Sequence, residues 1–340
     1  MLMKQIMSSL LLILFVSAMT LYPAFSQPVS RKIVVAVTAS SLTSIISAIG
    51  GEKIKVKSLV PQGADPHHYE PSETDIINAV SDTDLIVMTG PHHLLIEEKI
   101  EDLYNKGFIK SRIINYKDYI ENGMVFLKNP KTNDINPHGY FFSINNSKII
   151  ALTVYKALVE MDPKDKEYFD TRYEEFIALL DQISIEIQRI RIKNLKIILL
   201  TPILQYVAKD LNMEVIDIVL PEYDIEPTEK DISNVITIMK SRKIDFMLAS
   251  DIEANRLKKM INIFRNNNIN IVITPVFTYK KIPYLASLIT VSAIETNKFR
   301  FEYTQTGNNI GDFILIPSIV LNFVLAALSI LLYYKVKNYE

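Results

Sequence analysis

Apolar and polar positions along the chain fall into two similar halves separated by one long amphipathic stretch. In the first half, short runs rich in Val and Ile alternate with amphipathic segments. The pattern predicts strands over 32–37, 54–60 and 84–88, with helices over 42–49, 75–80 and 94–105. A further helix is predicted over 147–160, after a Pro-punctuated loop. The second half repeats the alternation, with strands over 195–200, 215–220, 245–249 and 269–273 and helices over 230–240, 253–266 and 284–295. Strands alternating with helices imply mainly parallel sheets covered on both faces. Between the halves, Tyr173, Phe176, Leu180, Ile183, Ile187 and Ile190 recur at spacings of 3, 4, 3, 4 and 3, one apolar stripe on a helix. A helix over 164–193 would run roughly 40 Å, the length of two small domains. The stripe is short for a coiled coil, so packing within the molecule is the expectation. The predicted fold is α/β, with two lobes, each a mainly parallel sheet flanked by helices. One long connecting helix joins them and leaves a cleft between.

The two ends break this pattern. After Lys4, no charge occurs from 6 to 25, and Ala24-Phe25-Ser26 places small residues two apart before Gln27. Residues 1–26 therefore read as a secretory signal peptide, with an uncleaved anchor as the alternative. Residues 313–334 form a second uncharged apolar run, near the roughly 20 residues that cross a bilayer. It ends in Tyr333-Tyr334 and is followed by Lys335 and Lys337, which puts the short tail 335–340 in the cytoplasm and the rest outside the cell. The expected order is 1–26 signal peptide, 27–163 first lobe, 164–193 connecting helix, 194–300 second lobe, 301–312 stalk and 313–334 transmembrane helix.

Composition narrows the chemistry. The 340 residues contain no cysteine, which removes disulfides, thiolate metal ligands and lipid attachment at a cysteine. Net charge is −1, and no basic patch stands out, so nucleic acid is not an expected partner. All five histidines lie between 67 and 138, in Asp65-Pro66-His67-His68-Tyr69-Glu70-Pro71, Gly90-Pro91-His92-His93 and Asn136-Pro137-His138. Imidazole is the commonest protein ligand for zinc and similar metals, and three nitrogens from separate segments can make a site. The plainer alternative is a set of capping and surface histidines. Open α/β sheets bind ligands beyond the carboxyl ends of their strands. The first two clusters follow the predicted strands 54–60 and 84–88, and His138 sits in the Pro-punctuated loop, so all three could meet at one sheet edge.

The stretch VTASSLTSIISAIGGEKIKVKSLVPQGADPHHYEPSETDI (37–76) resembles the opening of the zinc/manganese solute-binding proteins of ABC metal importers (cluster A-I). INPHGYFFSINNSKIIA (135–151) is similar to that family's second-ligand segment, and IEPTEKDI (225–232) to its second-lobe Glu-Pro-Ser/Thr segment. The likeness runs from about 32 to 297. It implies that His67 and His138 are metal ligands, with Asp65 and Glu70 bracing them. The second half departs from the family pattern. Thr201 stands where the third ligand belongs, and Thr274, before Pro275, stands where the last ligand belongs. His92 or His93 is a candidate replacement, as is an oxygen of Asp251 or Glu253, and His93 and Glu97 lie four apart on one helical face.

The resemblance implies a monomeric, membrane-tethered extracytoplasmic protein that captures Zn²⁺, or alternatively Mn²⁺, and delivers it to an ABC permease. The chain has no phosphate loop, so a separate ATPase would drive that permease. A donor set dominated by imidazole favours zinc over manganese. Two other readings stay open: a divergent member without high-affinity metal binding, serving in adhesion or holding another ligand, and a metallohydrolase with a three-histidine site.

Overall fold

The structure, a computed structural model, describes residues 31–306 apart from 62–63, 65, 91–93, 190–193, 242 and 279–281. The expected signal peptide, the apolar run 313–334, the stalk beyond 306 and the tail lie outside the described residues. So do Asp65, His92 and His93. Among the described residues, no helix is long and apolar enough to cross a membrane.

The first sheet uses β1 (Ile33–Val37), β2 (Ile54–Ser58), β3 (Leu85–Val87) and β4 (Arg112–Ile114), all parallel, in the order β2-β1-β3-β4. The second sheet repeats this with β5 (Lys196–Leu199), β6 (Glu214–Ile218), β7 (Phe246–Ser250) and β8 (Ile271–Thr274), in the order β6-β5-β7-β8. Every residue of β1 and β7 is buried, which is why these strands read as continuous apolar runs rather than alternating ones. In each sheet the order reverses between its two central strands, so a crevice opens at their carboxyl ends.

The predicted helices lie near their expected positions, and two short ones, Tyr116–Glu121 and Gln205–Asp210, are added to them. In the first half they are α1 (Thr43–Gly50), α2 (Glu73–Val80), α3 (Leu95–Asn105), α4 (Tyr116–Glu121) and α5 (Ile144–Met161). The long connecting helix is α6 (Lys166–Arg189). It is followed by α7 (Gln205–Asp210), α8 (Glu229–Ser241), α9 (Asp251–Arg256), α10 (Lys258–Asn266) and α11 (Ala286–Thr306). The single helix expected over 253–266 is two, because Leu257 leaves helical geometry at φ −99° and ψ 30°. A capping box fixes where α9 starts: Ser250 Oγ accepts from Glu253 N–H, and the Glu253 carboxylate accepts from Ser250 N–H.

Phe176, Leu180, Ile183 and Ile187 of the predicted stripe are buried on α6, joined by Phe169 and Leu179. They enter one apolar cluster that also takes in β1 and β3 of the first lobe, α5, β5 of the second lobe and Tyr284 beyond it. The connecting helix is thus not a bare rod between two independent bodies. Both lobes lean on it and share a core, and close-packed interiors of this kind resist large rearrangement.

Candidate metal site

A cleft of about 410 Å³ lies at the carboxyl ends of the strands of both sheets. The first lobe contributes Thr38 after β1, His67 after β2, Thr89 after β3, and His138 in the loop before α5. Ile203, Tyr223, Ile252 and Phe277 line the facing side from the second lobe. The walls are largely apolar, so the two imidazoles stand in surroundings that hydrate a charge poorly.

His67 and His138 come together. Their ring centroids are 5.5 Å apart and the planes are tilted by 43°, which is not a stacked arrangement. His138 Nε2 lies 2.6 Å from Glu222 Oε2, an acidic residue of the second lobe beside the cleft residue Tyr223. Among the described residues, no three His, Cys, Asp or Glu side chains are already gathered closely enough to hold a metal ion.

The placement of His138 is built by the second lobe. Asn136, 1% exposed, accepts from His138 N–H at 2.9 Å and donates to Pro202 O at 3.0 Å and Gln205 Oε1 at 2.8 Å. Tyr206 Oη donates to Asn136 O at 2.7 Å and accepts from Leu127 N–H at 2.9 Å, and burial pushes its phenol well above the usual range. Gly139 follows with φ 67° and packs so closely on Ile203 that a Cβ there would meet the Ile203 carbonyl oxygen at 2.0 Å. The 201–206 segment, whose Thr201 was expected to stand in a ligand position, therefore serves as the scaffold of the His138 loop.

The other sequence candidates have different partners. Thr201 donates to Glu253 Oε1 at 2.6 Å, and Thr274 shares a hydrogen bond of 3.0 Å with Thr290. Asp251 accepts from Phe277 N–H at 3.0 Å, and from Thr278 N–H and Oγ1–H at 2.7 Å each, so both its oxygens hold the 277–278 turn. Glu70 pairs with Lys99 at 3.1 Å on the surface, and His68 is exposed. Glu97 is buried within the first lobe. It accepts from Thr38 Oγ1–H, Thr89 N–H, Thr89 Oγ1–H and Gly90 N–H, and so ties together the loops after β1 and β3.

Glu97 and Glu253 are counterparts. Each is a buried carboxylate at the start of the helix after the third strand of its sheet. Each receives a threonine hydroxyl from the segment after the first strand: Thr38 in one lobe, Thr201 in the other. Burial raises both carboxyl groups above their ordinary value, against the hydrogen bonds that lower it. Sequence reasoning missed Glu222 and Asn136, and it did not foresee that Glu97 and Glu253 are buried counterparts. Glu222 had one available signal: an acid beside an aromatic, just past the end of a strand, in a loop bounded by Pro221 and Pro227.

Curated relatives align with about half of the chain. The metal ABC transporter substrate-binding lipoprotein SloC of Streptococcus mutans is 29% identical over 181 residues, 52% of this chain and 58% of that protein. The manganese ABC transporter substrate-binding lipoprotein PsaA of Streptococcus pneumoniae is 31% identical over 183 residues, 51% of this chain and 57% of that protein. The chain thus matches less than two thirds of the length of these relatives. Solved structures share the fold over more of it. A crystal structure of ZnuA superposes with a TM-score of 0.62 at 21% identity, covering 78% of this chain and 98% of that one. The substrate-binding protein FpvC of Pseudomonas aeruginosa in complex with Mn²⁺ superposes with a TM-score of 0.64 at 19% identity, covering 78% and 100%. Residues 35–277, which span both sheets and both histidines, match the family described as zinc-uptake complex component A, periplasmic, and the chain belongs to that family.

Proposed function

We propose that the protein captures a divalent transition-metal cation, Zn²⁺ in preference to Mn²⁺, between His67 and His138 and passes it to a membrane permease. The observation that carries this reading is the separation of the two imidazoles. Zinc–nitrogen bonds of about 2.1 Å at a tetrahedral angle put two ligating ring centroids about 5.3 Å apart. The rings lie at 5.5 Å, a separation that matches two imidazoles on one ion. Zinc over manganese follows from the nitrogen donors, since manganese favours oxygen.

The work is binding and release, without bond chemistry. Relatives named as substrate-binding components of manganese and iron ABC transporters support a permease and a separate ATPase as partners. The core shared through α6 limits the lobes to small relative movements, which suits release by a modest opening of the cleft. Because the relatives are named lipoproteins and this sequence holds no cysteine, the uncharged run 313–334 is the proposed tether, with the lobes outside the membrane. Shortening the chain after residue 312 should move it from the membrane fraction to the soluble fraction.

Calorimetric titration of Zn²⁺ into metal-stripped full-length protein tests the main claim. Binding in the submicromolar range is expected, and His67→Ala or His138→Ala should abolish it. Wild-type protein that takes up no zinc would sink the proposal.

A further inference from the structure

We infer that Glu222 is the second lobe's metal ligand, replacing the donors that Thr201 and Thr274 do not supply. The inference rests on the function proposed above and completes its site as two imidazole nitrogens and one carboxylate oxygen, with a fourth position open to water. Three protein ligands and an open position are a recognised arrangement for zinc.

The carboxylate already touches a proposed ligand, at 2.6 Å from His138 Nε2. Two donors on a tetrahedral zinc lie about 3.4 Å apart, given bonds of about 2.1 Å. The contact therefore has to open by roughly 0.8 Å, and a ligating imidazole nitrogen must carry no proton, so any proton held between the two atoms is released as the cation enters. A rotation of the Glu222 side chain suffices, since it is 47% exposed and not packed in place.

The loop that carries Glu222 is held from both sides. From the first lobe, Asn129 Nδ2 donates to Pro221 O at 2.8 Å, and Lys131 Nζ donates to Ile218 O at 2.9 Å and Val219 O at 2.5 Å. From the second lobe, the Arg256 guanidinium sits over the Tyr223 ring at 5.1 Å and donates to Ile225 O at 3.3 Å. The loop's backbone is fixed while its acid faces His138. Three other second-lobe acids are committed elsewhere: Asp251 to the 277–278 turn, Glu253 to Ser250 and Thr201, Glu226 to Arg256.

The test is zinc affinity of the full-length protein, measured by competition with a chelator, for wild type, Glu222→Gln, Glu222→His and Glu226→Gln. Loss of a residue that merely orients a ligand already weakens metal binding by about 10–100-fold, so Glu222→Gln should cost at least about tenfold. Glu226→Gln should leave affinity unchanged. Glu222→His should recover most of the loss, because an imidazole can donate to zinc but cannot act as a carboxylate brace for His138. The inference is overturned if Glu222→Gln binds within twofold of wild type, or if Glu222→His binds no better than Glu222→Gln. In both of those outcomes, zinc binding that His138→Ala abolishes leaves the proposed function standing. Absence of zinc binding by wild type would overturn both.

Discussion

Replacing Gly139 by alanine should damage the site from one position beyond its histidine. Two costs combine there. Gly139 has φ 67°, where an L-residue pays about 1–2 kcal/mol. The new Cβ would also lie 2.0 Å from the Ile203 carbonyl oxygen, where contact ordinarily begins near about 3.5 Å. A backbone oxygen cannot swing aside, so the His138 loop must retreat from the second lobe by more than about 1 Å, and overpacking of this kind costs about 1–3 kcal/mol. The total is about 2–5 kcal/mol. A matched control separates the terms: Gly107 also has positive φ, at 79°, but a Cβ there meets nothing within 4 Å. Urea unfolding should show Gly107→Ala losing about 1–2 kcal/mol and Gly139→Ala losing a further 1–3 kcal/mol or so. Zinc affinity should fall in Gly139→Ala alone, because the retreat breaks the contact of His138 with Glu222. Equal stability losses in the two variants, with zinc binding untouched, would refute the claim that the second lobe's backbone positions His138.

Tyr206→Phe should leave Leu127 N–H and Asn136 O without their partner, at about 1–3 kcal/mol for each group left unpaired, read as a lower unfolding temperature and weaker zinc binding. Glu253→Ala should destabilise more than Glu253→Gln, since glutamine keeps one acceptor oxygen for Thr201 or Ser250 and alanine keeps none; chemical denaturation ranks the two. Glu97 and Glu253 also set a pH dependence. Their folded pKa values are raised above the ordinary 4.5, so the native state holds protons that the unfolded chain has released. Their contribution is therefore full below about pH 4.5 and is lost as pH rises through the folded values, and Glu253→Gln should flatten the fall in unfolding temperature as pH rises above about 4.5.

The sheets were legible because their central strands are buried on both faces and so form apolar runs, as 33–37 and 246–250 do. The helices Tyr116–Glu121 and Gln205–Asp210 escaped the pattern because six residues are too few to show a period, and Arg112–Ile114 escaped because it lacks the full burial that makes the equally short Leu85–Val87 an apolar run. The histidines could be read from their Pro-flanked motifs. Their supports could not: Asn136, Tyr206 and Glu222 act across 66 to 84 positions of sequence, through contacts that no local pattern records. The departures of Thr201 and Thr274 from the family pattern were visible in the sequence. That the 201–206 segment instead holds the His138 loop was not, because it depends on Asn136 reaching Pro202 and Gln205.

X-ray absorption at the zinc edge of the zinc-loaded full-length protein tests the central claim most directly. Two imidazole nitrogens at about 2.0–2.1 Å are predicted, together with oxygen at about 2.0–2.2 Å, and the imidazole signal should diminish in Glu222→Gln protein no further than the oxygen does. A zinc environment without imidazole scattering, or one unchanged by His67→Ala and His138→Ala, would contradict the account.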